Sequence, residues 1–323
     1  MMNSRILSIF LFLFLFLIPL IVNNSFFHHI FIMILFSTLI GLAWNLLGGY
    51  AGQVSFGHSA FLGVGAYTTM ILYLKLGMSP WLALLIGGLV SVVVAIPIGL
   101  LCFRLRGPYF SLSTLAVAEI LRLVALNWES LTAGPQGMLI TFLPQLEILS
   151  YLIDWEKKIF FYYIIAALTF FAMILTYFVS NSRLGAYLVA IKEDIDSAEA
   201  VGINTVYTRV IALALSAFLV GLAGGFYALY YRYIDPDAVF SIAISVEMVF
   251  IAIVGGIATT GGPIVGAIVL VLISELFRTK FQVGHLIFYG LFMMVVIRYL
   301  PEGIWGKIIK ILNNKKYNGI TTG

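Results

Sequence analysis

Charge is what this sequence has least of. Lys, Arg, Asp and Glu together make up 10% of its 323 residues, against roughly 25% in a soluble domain, so there is too little polar surface to coat a water-exposed globule. A soluble enzyme is excluded first. The net charge of +4, from 18 basic and 14 acidic residues, is small and dispersed and leaves no footprint for nucleic acid. Cysteine occurs once, at Cys102, which excludes an intramolecular disulfide framework and any multi-thiolate metal site; the residue reads as a small core side chain. No G-x-x-x-x-G-K-[ST] phosphate loop occurs, so the chain has no recognisable means of hydrolysing a nucleotide. There is no H-E-x-x-H, the four histidines form no metal-ligand pattern, and no G-x-S-x-G marks a nucleophile. With enzyme chemistry unsupported, a channel or carrier remains.

What the sequence has is apolar residues, 62% of the total, in stretches of the ~20 residues a helix needs to cross a bilayer. In lipid every backbone polar group must be satisfied internally, so helical spans are the solution. The expected fold is an all-α polytopic membrane protein, one domain over residues 1–323, with about ten spans. The candidates are Ile6 to Val22, Phe26 to Leu47, Ala60 to Leu76, Trp81 to Phe103, Pro108 to Asn127, Ile159 to Ser180, Val210 to Tyr231 and Gly284 to Leu300. Ile6 to Val22 exceeds a signal-peptide core and has no small-x-small cleavage site after it, so it reads as a span. Val239 to Phe277 is too long for one crossing and is interrupted by glycines from Gly255 to Gly262; it reads as two short helices meeting at a glycine-rich break.

Ten crossings with both termini in the cytoplasm place Arg5, Arg104, Arg106, Arg183, Lys192, Arg209, Arg298, Lys307, Lys310, Lys315 and Lys316 inside. Lys75, Lys157, Lys158, Arg232, Arg278 and Lys280 fall outside, and Arg122 within a span. Eleven against six of the 18 basic residues agrees with the enrichment of Lys and Arg in cytoplasmic loops. Arg278 and Lys280 run against it, and the parity around residues 239–283 is the weakest part of the topology. Residues 128–158, with Glu129, Glu147, Asp154 and Glu156, form an external loop and a candidate docking surface. Residues 181–208 hold the densest charge in the chain, in the cytoplasm. Ala186, Val189, Ala190, Ala198 and Val201 fit a short amphipathic helix there, with Gly202 where a helix C-terminus wants glycine; a plain solvated loop is the alternative. Residues 301–323 form a short basic cytoplasmic tail suited to anionic lipid.

Ionisable groups inside a bilayer cost a few kcal/mol each and so mark function or buried pairing. Glu119 and Arg122, three apart, can meet on one helix face. Glu247 is expected near the outer start of the broken segment and Glu275 near its end, where interfacial water lowers their cost. His58 lies in GGYAGQVSFGHSAFLGVGAY, residues 48–67, beside Gln53 and Ser55. Glycine-rich, non-helical backbone at membrane depth requires protein or a water-filled cavity around it, and Gly255 and Gly256 invite the same reading. Tight packing without substrate contact explains both clusters equally well.

The stretch Leu42 to Tyr67, PYFSLSTLAVAEILRLV followed by LTAGPQGM, RLGAYLVAIKEDIDSAEAVGIN, SAFLVGLAGGFYALYY and VGGIATTGGPIVGAI together resemble the permease subunits of branched-chain amino acid ABC importers. They are nearer the LivM type than its LivH partner. The resemblance covers roughly residues 40–300 in unbroken order. It implies an inner-membrane permease that binds no cofactor itself and pairs with a homologous second permease, two cytoplasmic ATPase subunits that use ATP, and a periplasmic substrate-binding protein. It also implies that residues 181–208 dock on an ATPase subunit, with Arg183, Gly185, Ala190, Glu193, Ala198 and Gly202 matching the family pattern and Lys192 and Asp194 as neighbouring polar surface. Gln53, Ser55, His58, Glu119, Arg122, Gly255 and Gly256 become candidates for the translocation path of Leu, Ile or Val. Urea and short-amide permeases of the same superfamily are similar in sequence, and an autonomous ion-coupled carrier is the alternative of a different class.

Overall fold

A computed structural model describes residues 24–141, 146–148, 151–153, 158–280, 285–299 and 303–318. The expected first span, Ile6 to Val22, lies outside these residues, as do Arg5, Asp154, Glu156, Lys157 and the end of the tail. The chain is an all-α polytopic membrane protein: among the described residues, eight helical stretches are long and apolar enough to cross a bilayer. They are α1 (Ser25–Trp44), prolonged by a π-helical turn over Asn45–Gly49, α2 (His58–Leu76), α3 (Pro80–Cys102) and α4 (Pro108–Asn127). After the short α5 (Glu129–Thr132), a 3₁₀ turn (Gly134–Gln136) and strands β1 (Met138–Leu139), β2 (Leu146–Ile148) and β3 (Tyr151–Ile153) comes α6 (Lys158–Ser180). Two short helices, α7 (Arg183–Glu193) and α8 (Ile195–Ala200), precede the long α9 (Thr205–Tyr231). Then follow β4 (Tyr233–Ile234), α10 (Pro236–Val239), α11 (Ile242–Gly255), α12 (Gly262–Lys280), α13 (His285–Tyr299) and α14 (Gly303–Asn318). α13 has 15 residues and is not one of the eight.

The sequence marks where these helices start. Asn24, Ser182, Asp194, Asn204, Asp235 and Ser241 each accept a hydrogen bond from a backbone N–H of the first turn that follows, which satisfies a donor the helix itself cannot. Pro80, Pro108 and Pro236 occupy first-turn positions where no N–H is needed. At the other end of α2, Gly77 adopts φ 63° and stops the helix.

Lipid offers no hydrophobic drive for helices to associate with one another, so close approach and dispersion carry the packing. α9 packs most extensively against α3 and α2, and glycine makes this possible: a Cβ on Gly65 would stand 2.1 Å from the carbonyl oxygen of Gly221, and one on Gly224 would stand 2.0 Å from that of Leu62. α1 is enclosed on nearly every side, whereas α4 buries only the stripe Phe110, Thr114, Ala118 and Ala125. β1 pairs antiparallel with β4 through Met138 with Ile234 and Leu139 with Tyr233, so the loop after α4 is tied to the chain leaving α9.

Three stretches that interrupt the long helices enter the bundle. Residues 50–57 lead into α2 and are held by Trp44 Nε1 donating to Ser55 O (2.9 Å), Ser111 Oγ to Val54 O (2.6 Å) and Phe56 N to Thr114 Oγ1 (3.2 Å). The glycine break at 256–261 joins α11 to α12 as an antiparallel pair in which a Cβ on Gly255 would meet the Gly262 carbonyl at 2.0 Å. Residues 233–241 descend from the β1–β4 end, placing Phe240 against Gly63 and stacking it on Tyr67. α11 therefore starts inside the bundle. Arg278 lines one cavity with Asp237, which sets the far end of α12 at the β1–β4 end.

Introducing a side chain into the α2–α9 contact has no room to be absorbed. Gly224→Val is expected to destabilise the protein by about 1–3 kcal/mol or more, read as a lower thermal midpoint in detergent. Gly290, in α13, has nothing within 4 Å of a built Cβ, and Gly290→Ala should leave that midpoint unchanged or slightly raised.

Candidate functional site

Functional geometry gathers at the two ends of the bundle. At one end, residues 181–204 fold into two helices rather than one. Asp194 is the hinge between them: its backbone is extended (φ −157°), so it closes α7, and its side chain caps α8 by accepting from Ser197 N at 2.6 Å. The two bonds from Ser197 hold the Asp194 carboxyl below its ordinary range. Gly202, at φ 87°, ends α8; Gly202 N bonds to Glu199 O (2.9 Å) and Ile203 N to Ala198 O (3.1 Å), the paired closure that needs a left-handed residue.

The eight expected coupling residues divide into two groups. Gly185 and Ala198 face inward and are buried, and a Cβ on Gly185 would stand 2.4 Å from the Val179 carbonyl; Ala190 is half-buried. Arg183, Lys192, Glu193, Asp194 and Gly202 are exposed, together with the apolar Tyr187, Val189 and Val201. The result is a mixed polar and apolar surface lying on a buried stripe of Gly185, Leu188 and Ile191. It is braced from outside by Arg106, which grips Asp196 through two hydrogen bonds of 2.8 and 3.2 Å; that carboxylate raises the Arg106 pKa further. The stem of Lys192 lies against Gly52.

Two residues at this end differ from the sequence reading. α9 begins at Thr205 rather than Val210, because Asn204 caps it by accepting from Tyr207 N at 2.9 Å. Arg209, counted among the cytoplasmic loop charges, is therefore a buried residue of α9, stacked 5.1 Å from the Phe103 ring centre and donating to Thr205 O and Oγ1. Thr205 Oγ1 in turn donates to Glu199 at 2.6 Å. At the start of the tail Gly303 touches Gly256 and Trp305 is buried, while Lys307 and Lys310 are exposed.

The seven path candidates do not converge. His58 is fully buried, with Nδ1 2.9 Å from Ser55 Oγ and Nε2 2.9 Å from Ser216 Oγ. Ser216 gives its proton to Ala43 O at 2.6 Å, so His58 donates from Nε2 and accepts at Nδ1, a neutral ring satisfied on both sides. His58 thus ties α1, α2 and α9 together. Gln53 is half-buried in the 50–57 stretch. Gly255 and Gly256 are buried at the glycine break, where Asn45 donates to Thr259 O and accepts from Ala258 N, both at 2.9 Å. Far from these, Glu119 and Arg122 pair on α4 at 2.6 and 2.9 Å, and Arg122 also binds Asp237 at 2.5 Å.

None of the seven lines the more spacious of two cavities in the bundle. That cavity, of about 710 Å³, opens at the β1–β4 end between α1, α9, α10, α11 and α12. Its polar lining includes His29, Ser37, Asp237, Glu247, Glu275 and Arg278, beside Met33, Phe36, Phe250 and Leu270. Ser37 donates to Glu247 Oε1 at 3.2 Å. Ser37 lies 12 residues into the Ser25–Gly49 span, about 18 Å along it, so Glu247 stands at mid-depth and not near an interface as the sequence suggested. The descent of residues 233–241 carries it there. Ser37, Asn45 and Ser216 carry no sequence signal of partnership, because Asn45 and Ser216 are single polar residues in apolar runs and Ser37 has only Thr38 beside it.

Residues 26–297 match the family model described as branched-chain amino acid transport system / permease component. The chain is 28% identical over 288 residues to the high-affinity branched-chain amino acid transport system permease protein LivM of Salmonella typhimurium, covering 82% of this chain and 67% of that one. To LivH of the same organism it is 26% identical over 289 residues, 83% of this chain and 91% of that one. A probable branched-chain amino acid transport permease protein LivM of Methanocaldococcus jannaschii is 20% identical over 312 residues, 82% and 89% of the two chains. No solved structure matches.

Because its carboxyl pKa is depressed, the Asp194 cap contributes fully above the ordinary carboxylate range and is lost as pH falls through the lowered value. Amide exchange of residues 195–200 should accelerate on acidification in the wild type, while Asp194→Asn, an equally good cap, should abolish that pH dependence. Gly202→Ala should loosen the same helix by about 1 kcal/mol, since only backbone strain and no clash opposes it.

Proposed function

We infer, from a chain that belongs to the branched-chain amino acid transport permease family, that this protein is the membrane-spanning subunit of an ATP-driven importer for Leu, Ile or Val. It has no nucleotide chemistry of its own. In this reading ATP is used by two ATPase subunits on the cytoplasmic face, a homologous permease stands beside it, and a periplasmic protein delivers the amino acid. The α7–α8 end is cytoplasmic, the chain lies in the inner membrane with both termini inside, and the β1–β4 end, with residues 128–158, receives the binding protein.

The observation that carries the coupling role is the α7–α8 surface: two short capped helices with exposed Arg183, Tyr187, Lys192 and Glu193, resting on the inner end of the bundle. Closure of the ATPases pushes on this surface. The push passes through Glu199, Thr205 and the Arg106–Asp196 grip into α9 and the α3–α4 turn, and rocks the spans so that the pathway opens to each side in turn. Glu119 and Arg122, on the little-buried α4, and the Gln53, Ser55, His58, Gly255 and Gly256 region flank that movement.

Proteoliposomes holding this chain with its partner permease, ATPases and binding protein should take up labelled leucine only with ATP inside the compartment that carries the ATPases. Uptake by this chain alone under an ion gradient would refute the importer reading. Glu193→Lys, which reverses an exposed charge on the docking surface, should lower uptake several-fold while ATP hydrolysis continues.

A further inference from the structure

Glu247 is the feature of this molecule that the established family assignment leaves without a role. It sits at mid-depth of the bundle, at the level of Ser37. Among the described residues it has no cation within salt-bridge distance: Asp237 is taken by Arg122, and Glu275 has Arg278 at 3.9 Å. An ionised carboxylate in the middle of a span without a cationic partner is costly, and such residues mark substrate or ion paths. Its one hydrogen bond from Ser37 fills one of roughly four acceptor positions on a carboxylate.

The surroundings say which cation fits. Glu247 lines a cavity of about 710 Å³ that opens at the β1–β4 end, so a solute can reach it from that side. Across the same cavity stand Met33, Phe36, Phe250 and Leu270, a wall for an aliphatic side chain. The first turn of α11, through Ser241 and Ile244, also lines it, and the positive end of that helix dipole favours a carboxylate. A bare metal ion would leave the apolar wall unused, whereas a neutral amide would leave Glu247 unpaired.

We propose that this cavity is the amino-acid vestibule of the permease, in which Glu247, oriented by Ser37, takes the α-ammonium of the zwitterion while its aliphatic side chain lies against Phe36 and Phe250. The inference rests on the importer function above and adds the group that reads the amine. Glu247 gains a cationic partner only when substrate is present, and the empty vestibule offers it none within salt-bridge distance among the described residues. Substrate entry therefore supplies at mid-depth the partner that the buried carboxyl lacks, which favours the occupied state.

The test uses the assembled complex in proteoliposomes. Glu247→Gln should lower ATP-driven leucine uptake about tenfold or more, the scale of one hydrogen bond to a charged group. Glu247→Asp should stay within about threefold, because the charge remains, and Ser37→Ala should fall between the two. Co-purification of each variant with its partners shows that assembly is intact. Wild-type-like uptake by Glu247→Gln would overturn the proposal, and so would loss of assembly in both Glu247→Gln and Glu247→Asp, which would make the residue a packing element. A wild-type complex that fails to transport leucine with ATP would instead overturn the function on which the proposal rests.

Discussion

Every backbone amide carried into hydrocarbon must find its partner within the protein, and the architecture of this permease follows from how it meets that requirement where helices break. Three stretches interrupt the long helices inside the bundle, at 50–57, 233–241 and 256–261, and at the first and last of these side chains act as surrogate backbone. Trp44, Asn45, Ser111 and Thr114 supply the hydrogen bonds, and glycines supply the space. Two of these four groups come from α1 and the π-helical turn that prolongs it.

The breaks also separate the two ends functionally. The glycine break lies beneath α14 and beside Asn45, so the α7–α8 end is closed by packed backbone. The β1–β4 end is open, because the descent of residues 233–241 shortens α11 and leaves a cavity above it. The bundle thus has one packed end and one hollow end, with α9 and α1 as the continuous connections between them.

Most of the spans were legible in the sequence, since apolar length and proline or polar caps give them directly; Asp194 and Gly202 likewise announce the helix ends they make. What could not be read was depth. Glu247 follows Ile242 closely and looks interfacial along the chain, because nothing in its neighbourhood says that the preceding loop plunges inward. Arg209 looks like a loop charge until Asn204 is recognised as the cap of α9. His58 drew attention as an isolated polar group among glycines, but its two partners, Ser55 and Ser216, are separated by 161 positions, and no local pattern links them. Pairings across long sequence distance are set by packing, and one sequence holds no record of them.

α9 contains 27 residues without proline, which makes it about 40 Å long, longer than the ~30 Å hydrocarbon layer. One terminus reaches Glu199 through Thr205, and the other bears Tyr227 and Tyr231 on the cavity wall. Such a helix is a lever pivoting on its glycine contact with α2: an inclination of about 5° displaces one terminus relative to the other by roughly 3 Å. A displacement of that size is comparable to the width of a water molecule, so a tilt too small to disturb the packing at the α7–α8 end would still change the space beside Tyr227 and Tyr231.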